Sequence, residues 1–342
     1  MMKKVVLAFG VLLLLSLALS CAFKERYPVS DHFNGKNFFN PESSDKKNFW
    51  DVLKWQFGRS KPVWPKQIPV TSLKSLLRIP PGLSVAITYV NHSTFLIQTP
   101  DKNFLTDPIW SERASPFTWA GPRRVYNPPL PFDLLPPIHG VLVSHNHYDH
   151  MDEKTLLDLH QKFNPRIFVP LGDKQTLAKF GISSAEEMDW WQEIDLGDDL
   201  KVIFTPCQHW SARGLFDRDE SLWGAFIVIY KGKKIYFAGD TGYARHFHEA
   251  AERYGPMDLA ILPIGAYEPR WFMKYSHMNP EEAVQAHLDL KSELSAAMHF
   301  DTFQLADEPF GQSELDLKAA LEKLKVPSEK FKTLKPGESL YL

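Results

Sequence analysis

The chain runs to 342 residues, of which 44% are hydrophobic and 23% charged. That length and apolar share allow a substantial core, in one large domain or two small ones. Lys and Arg number 39 against 41 Asp and Glu, and the formal net charge of −2 argues against a nucleic-acid binder that works by neutralising phosphates.

Residues 1–20 read as an export segment. Lys3 and Lys4 form a basic start, and Val5 to Leu19 form an apolar stretch of signal-peptide length rather than a membrane span. Ala18-Leu19-Ser20-Cys21 follows, a loose form of the bacterial lipobox whose cysteine would be lipidated and become the mature N-terminus. Ordinary cleavage after Ser20 or Ala22 is the alternative. Either way the protein leaves the cytosol, and lipidation would tether it to a bacterial envelope membrane. Cys207 is the only other cysteine, so no disulfide is expected in the mature chain. Residues 21–83 read as a tether and N-terminal extension, polar and proline-punctuated, with a short helix over Phe49 to Phe57. SLKSLL offers another helical turn before Pro80-Pro81 stops it.

The main domain is expected over 84–342. SVAITYV and STFLIQT read as paired strands with His92 in their turn, and NFLTDP as a third, ending at Asp107. His92 is expected to be structural or to orient a ligand rather than to be one. Ile109 to Pro137 is a long loop rich in proline and aromatics, carrying Arg123 and Arg124. It is either a lip offering apolar groups to lipid and arginines to phosphate, or a packed loop whose arginines sit in surface ion pairs.

Val141 to Val143 then reads as a buried strand, bounded by Gly140 and Ser144. It runs into His145, His147, Asp149 and His150, four ligand-type groups at a strand end. A polar loop capping the next helix is the bland alternative, but so dense a set points to metal. One ion cannot easily take all four groups from so tight a loop, whereas two neighbouring ions can. Imidazole with carboxylate suits zinc, with iron and manganese as rivals.

Beyond it, Asp152 to Phe163 has helical spacing with Asp152 as N-cap, RIFVP is a strand, and KQTLAKF is a helix ended by Gly181. LKVIFTP delivers Cys207 and His209; the cysteine is expected to be structural. SLWGAFIVIY and KKIYFAGDTG form a hairpin ending at Asp240, whose small neighbours Gly239 and Thr241 leave room for an ion. MDLAILPIG is another strand. His277 precedes a clean helix start at Asn279-Pro280-Glu281-Glu282, and LSAAMHF is a strand ending at His299. Strands alternating with helices argue for a layered α/β domain.

H-x-H-x-D-H after an apolar strand resembles the signature of the metallo-β-lactamase fold superfamily. TYVNHSTFLIQT, FLTDPIW, GPRR, TPCQHWSARGLFD, LWGAF, FAGDTGY and KYSHMNPEEAV resemble more narrowly the branch containing N-acyl-phosphatidylethanolamine-hydrolysing phospholipase D and its bacterial relatives, over about Ile87 to Phe310. The resemblance implies a four-layer αββα fold and two zinc ions. His145, His147 and His209 would hold one, Asp149, His150 and His299 the other, and Asp240 would bridge them. An aspartate at the bridging position is typical of the superfamily's esterases and phosphodiesterases, where many true β-lactamases place a cysteine. Hydroxide generated between the metals would attack a phosphodiester, with Asp149 and His277 in catalytic roles and His277, Arg123 and Arg124 on the substrate phosphate. The implied reaction is hydrolysis of N-acyl-phosphatidylethanolamine or a similar phospholipid, and a homodimer is implied by analogy. A periplasmic metallo-hydrolase of another small phosphodiester, lactone or thioester is the second reading. A non-enzymatic envelope lipoprotein is the third.

Overall fold

The computed structural model describes residues 27–42, 47, 49–74 and 79–342. The expected export segment, Cys21 and the end of the SLKSLL stretch lie outside the described residues. Among the described residues no helix is long and apolar enough to cross a membrane. The described residues up to 42 belong to one compact unit, in which Tyr27, Phe33 and Phe38 pack ring against ring. The second unit runs from Asp45 to Leu342.

Two seven-stranded mixed sheets flanked by helices build the second unit, as the four-layer α/β expectation required. The first sheet orders Ser339–Tyr341 (β14), Ala86–Asn91 (β1), Thr94–Gln98 (β2), Asn103–Thr106 (β3), Gly140–Leu142 (β4), Arg166–Pro170 (β5) and Glu186–Met188 (β6). The second orders Phe331–Lys332 (β13), Leu294–Met298 (β12), Leu259–Pro263 (β11), Lys233–Phe237 (β10), Ala225–Tyr230 (β9), Leu200–Thr205 (β8) and Glu193–Asp195 (β7). Each sheet has an antiparallel part joined by hairpins and a parallel part, β3 to β6 in one and β10 to β13 in the other. Parallel strands need both faces covered. Val141 and Ile167 from β4 and β5 are fully buried with Leu156 and Leu159 of the helix Glu153–Phe163 (α2). Each such side chain contributes about 2 kcal/mol by leaving water.

The extension belongs to the same compact unit from Asp45 onward. In the helix Phe49–Gly58 (α1), Trp55 donates its indole N–H to Asp307, 3.0 Å away. Arg59 pairs with the same carboxylate at 2.8 Å, and Trp64 donates to the Glu308 carbonyl at 3.0 Å. These side-chain anchors, with backbone bonds from Ile68 to Val125 and from Leu73 to Pro129, hold the stretch after the helix.

The helix Asp173–Lys179 (α3) starts with a fully buried carboxylate, Asp173, which accepts from Asn146 Nδ2 at 3.0 Å and so fixes the centre of the histidine loop. Burial pushes Asp173 up to about 7. Its folded-state value is raised, so its contribution is present in full at acid pH and is lost as pH climbs towards 7. Asp173→Asn is therefore expected to be more stable than wild type at pH 8 by up to about 4 kcal/mol, and no more stable at pH 4, in paired denaturant titrations.

Candidate metal centre

The candidate ligands all stand at strand ends or in the loops that leave them. β4 hands over to Ser144, whose N–H and hydroxyl donate to the two oxygens of Asp107 at 2.7 and 2.6 Å. Because the Ser144 hydroxyl proton is committed to Asp107, its oxygen accepts from His145 Nδ1, 2.9 Å away. His145 Nε2 is then left with a lone pair. The same logic applies to His209 after β8: Nδ1 donates to the Ser276 carbonyl at 3.0 Å, leaving a lone pair on Nε2. Both lone pairs point at His147 Nδ1, at 2.9 and 3.2 Å. Three ring nitrogens thus converge with at most one proton among them, a donor set that fits a cation. Burial drives His145 and His209 well below the usual imidazole range and His147 to about 4, so all three are neutral, as ligation requires.

A second group lies beside the first. His150 donates Nδ1–H to Asp107 at 2.6 Å, which turns its Nε2 towards Asp149 and Asp240, both at 3.2 Å. His299, after β12, brings its Nε2 to 3.0 Å from Asp240 and 3.2 Å from Asp149. Burial disfavours charge on these histidines, but Asp240 and Asp149 outweigh it, raising His150 well above its ordinary value and His299 to about 9. Burial likewise opposes ionisation of the two carboxylates, and His150 most of all holds both well below the usual range. Nitrogen and carboxylate oxygen together suit zinc, iron or manganese.

Asp240 connects the groups. Its Oδ2 also stands 4.0 Å from His209 Nε2 and 3.9 Å from His277 Nδ1, while Oδ1 has no hydrogen-bond partner among the described residues. The room that Gly239 leaves is used differently from expectation. A Cβ there would lie 2.6 Å from Ser144 Cβ, so the glycine lets two strand ends approach and does not make space for an ion. Gly265 does similar work, since a Cβ would lie 2.0 Å from the His299 carbonyl. His92, Asp107 and His299 all adopt left-handed backbone, with φ of 48°, 33° and 57°. Strained residues clustering at one spot fit a site held by its surroundings.

His92 orients a candidate ligand, as expected, and Asp107 does the same for His150. His92 Nε2 holds Asp149 Oδ2 at 2.9 Å, and its carbonyl accepts from His299 N–H at 3.0 Å. Cys207 is buried, its thiol pushed up by burial, and Sγ donates to the Asp240 carbonyl at 3.3 Å. It stands among none of the clusters of metal-type groups in the described residues.

The arginines require correction. Arg124 is 4% exposed, and its guanidinium donates to the carbonyls of Ser111 and Ile109 at 2.8 and 3.1 Å and to Asn91 Oδ1 at 3.3 Å. It braces the long loop and does not line the cavity over the clusters. Arg123 pairs with Glu112 on the surface, outside the cavity over the clusters. That cavity, of about 330 Å³, instead holds Lys47 and Arg218, the latter stacked on Trp210 at 4.5 Å. Trp55, Phe272 and Leu305 add apolar wall, and His277 also lines it. Arg218 was not singled out because nothing in FDRDE distinguishes it from a surface charge. The loop itself is mixed: Trp110 packs on the core while Phe117 and Trp119 stay 54% and 77% exposed. Arg124→Ala is expected to cost about 3 kcal/mol of stability by orphaning those buried acceptors, with little change in turnover per folded molecule. Denaturant titration beside activity checks both.

Comparison with known proteins follows the same lines. The model of the "Beta-lactamase superfamily domain" matches residues 102–300. An uncharacterized protein of Mycobacterium tuberculosis is 39% identical over 243 residues, 70% of this chain. N-acyl-phosphatidylethanolamine-hydrolyzing phospholipase D 1 of Caenorhabditis elegans is 38% identical over 258 residues, 72% of this chain. The matches span 64% of the mycobacterial protein's length and 68% of the nematode enzyme's. Among solved structures, the metallo hydrolase Igni18 from Ignicoccus hospitalis superposes with a TM-score of 0.57 at 22% identity, over 75% of this chain and 98% of that one.

Proposed function

Since the chain belongs to the beta-lactamase superfamily, with metallo-hydrolases among its relatives, we propose that it is a di-zinc phosphodiesterase of phospholipase D type acting on N-acyl-phosphatidylethanolamine or a similar phospholipid. The observation that carries the reading is the composition of the cavity over the two ligand groups: cations Lys47 and Arg218 set among Val52, Trp55, Trp210, Phe272 and Leu305. Such a wall accepts a phosphate and the apolar chain beside it, whereas a polar metabolite would leave the aromatic surface uncovered.

In this reading His145, His147 and His209 would hold one ion and Asp149, His150 and His299 the other, with the Asp240 carboxylate between the two groups. Bound metal supplies Lewis acidity and water ionised near neutral pH. The chain's own residues do the rest. Asp107, Ser144 and the Ser276 carbonyl fix the imidazole tautomers through Nδ1 of His150, His145 and His209. His92 holds the carboxylate of Asp149 in place. Arg218 and Lys47 bind the phosphate, and the apolar wall excludes bulk water. Burial holds His277 at about 4, so its ring is neutral at working pH and can donate one hydrogen bond to a phosphate oxygen. Export and attachment to the cell envelope through Cys21 belong to the same reading and place the enzyme beside its lipid.

The test is release of N-acylethanolamine from N-acyl-phosphatidylethanolamine in mixed micelles, beside a generic aryl phosphodiester, with chelated enzyme and Asp149→Asn as controls. Lipid turnover lost in both controls is the expected result. Hydrolysis of the generic diester alone would favour a small periplasmic phosphodiester. His277→Ala is expected to keep its metal and lose about 100-fold in kcat. Full activity in that variant would remove its assigned role.

A further inference from the structure

A second concavity of about 660 Å³ adjoins the metal cavity, with Trp55 and Leu305 lining both. Five cations line it: Arg59, Lys61, Lys66, Arg113 and Arg123. No carboxylate does so among the described residues. Two of the five are neutralised from outside, Arg59 by Asp307 and Arg123 by Glu112. Arg113 spends two N–H groups on the carbonyls of Thr118 and Gly121 and meets no acid among the described residues. Lys61 and Lys66 are exposed and have no hydrogen-bond or ion-pair partner among the described residues.

The segment presenting these lysines is nailed down. Pro62 accepts from Gln304 Nε2 at 2.8 Å, Trp64 donates to the Glu308 carbonyl, and Ile68 N–H donates to the Val125 carbonyl at 2.6 Å. The backbone that carries these two lysines is therefore fixed at a concave surface, and their flexible side chains are free to reach an anion there. Bare apolar side chains stand close in sequence to lining residues: Phe57 beside Gln56, Val63 beside Trp64, and Trp119 two before Gly121, at 88%, 96% and 77% exposed. Exposed aromatics bracketing a basic concavity are what a membrane interface selects, rings at headgroup depth and cations on phosphate.

We propose that this basic concavity is a non-catalytic site for the phosphate headgroup of an anionic phospholipid, which docks the protein on a lipid surface with the metal cavity alongside. It deepens the lipid reading of the metal site, yet it needs no turnover to be observed.

The test uses the full-length chain, whose first 26 residues are common to every arm. Binding is measured to phosphatidylcholine vesicles with and without phosphatidylglycerol, for wild type, for Lys61→Glu with Lys66→Glu, and for a Lys318→Glu control on the helix Gln312–Leu324. Phosphatidylglycerol should tighten wild type and the control, and the paired change should weaken that binding by about fivefold or more per lysine. Turnover of a soluble aryl phosphodiester should stay unchanged, which separates a failure here from a failure of the catalytic reading. Equal binding to both vesicles, or a phosphatidylglycerol response kept by the paired variant, would overturn the proposal. So would full competition by millimolar inorganic phosphate, which would mark a site for free anions.

Discussion

Asp240→Asn is expected to cost at least about 1,000-fold in kcat and to lower the bound metal from two ions per chain to one or none. The size of the effect follows from where one oxygen stands. Oδ2 lies 3.0 Å from His299, 3.2 Å from His150, 3.9 Å from His277 and 4.0 Å from His209. That oxygen has ring nitrogens of both ligand groups within 4.0 Å. The side chain is 2% exposed, so water cannot take over its charge. Asparagine keeps the shape and removes the charge, leaving one cation's worth of repulsion in a buried place. Elemental analysis of the purified variant beside its turnover is the check. A variant with two metals and full activity would show that Asp240 only packs.

Metal removal should have the second largest effect. Stripping by chelator is expected to abolish hydrolysis and to lower stability by about 4 kcal/mol, the linkage expected at ligand a thousandfold above Kd. The structural reason is that the clusters bury groups whose partners do not satisfy them: the lone pairs of His145 Nε2 and His209 Nε2 face His147 Nδ1, and Asp240 Oδ1 lacks a hydrogen bond among the described residues. Calorimetry of stripped and zinc-reloaded protein should show the loss and its recovery. His147→Ala should resemble the stripped protein in both respects.

The fold was legible wherever hydrophobic pattern and turn chemistry agreed. The hairpin at Lys231-Gly232 forms with φ of 47° and 82°, and Asn279 caps its helix in a full capping box with Glu282. The short strands Glu186–Met188 and Glu193–Asp195 escaped notice because their residues are polar and of low strand propensity. Asp152 occupies the N-cap of α2 as expected, but its carboxylate turns to Ser111 and Thr155 instead of the helix N–H groups. The histidine loop was readable because its ligands sit within six residues; His209, Asp240 and His299 depended on resemblance. Arg124 misled because an arginine pair in a long loop reads as phosphate-facing, and nothing local reveals that one member is buried against distant carbonyls. Arg218 and Lys47 come from segments far apart in sequence, and only the fold brings them over the site.

In the proposed reading two metal ions would be held by the groups that meet at Asp240 and would supply the hydrolytic chemistry. Stepwise zinc titration of the stripped, full-length chain, with bound metal and aryl phosphodiester turnover followed together, tests it most directly. Two equivalents should bind, and turnover should rise as the second is taken up. Turnover that persists in the stripped protein, or reaches its maximum with a single ion bound, would contradict it.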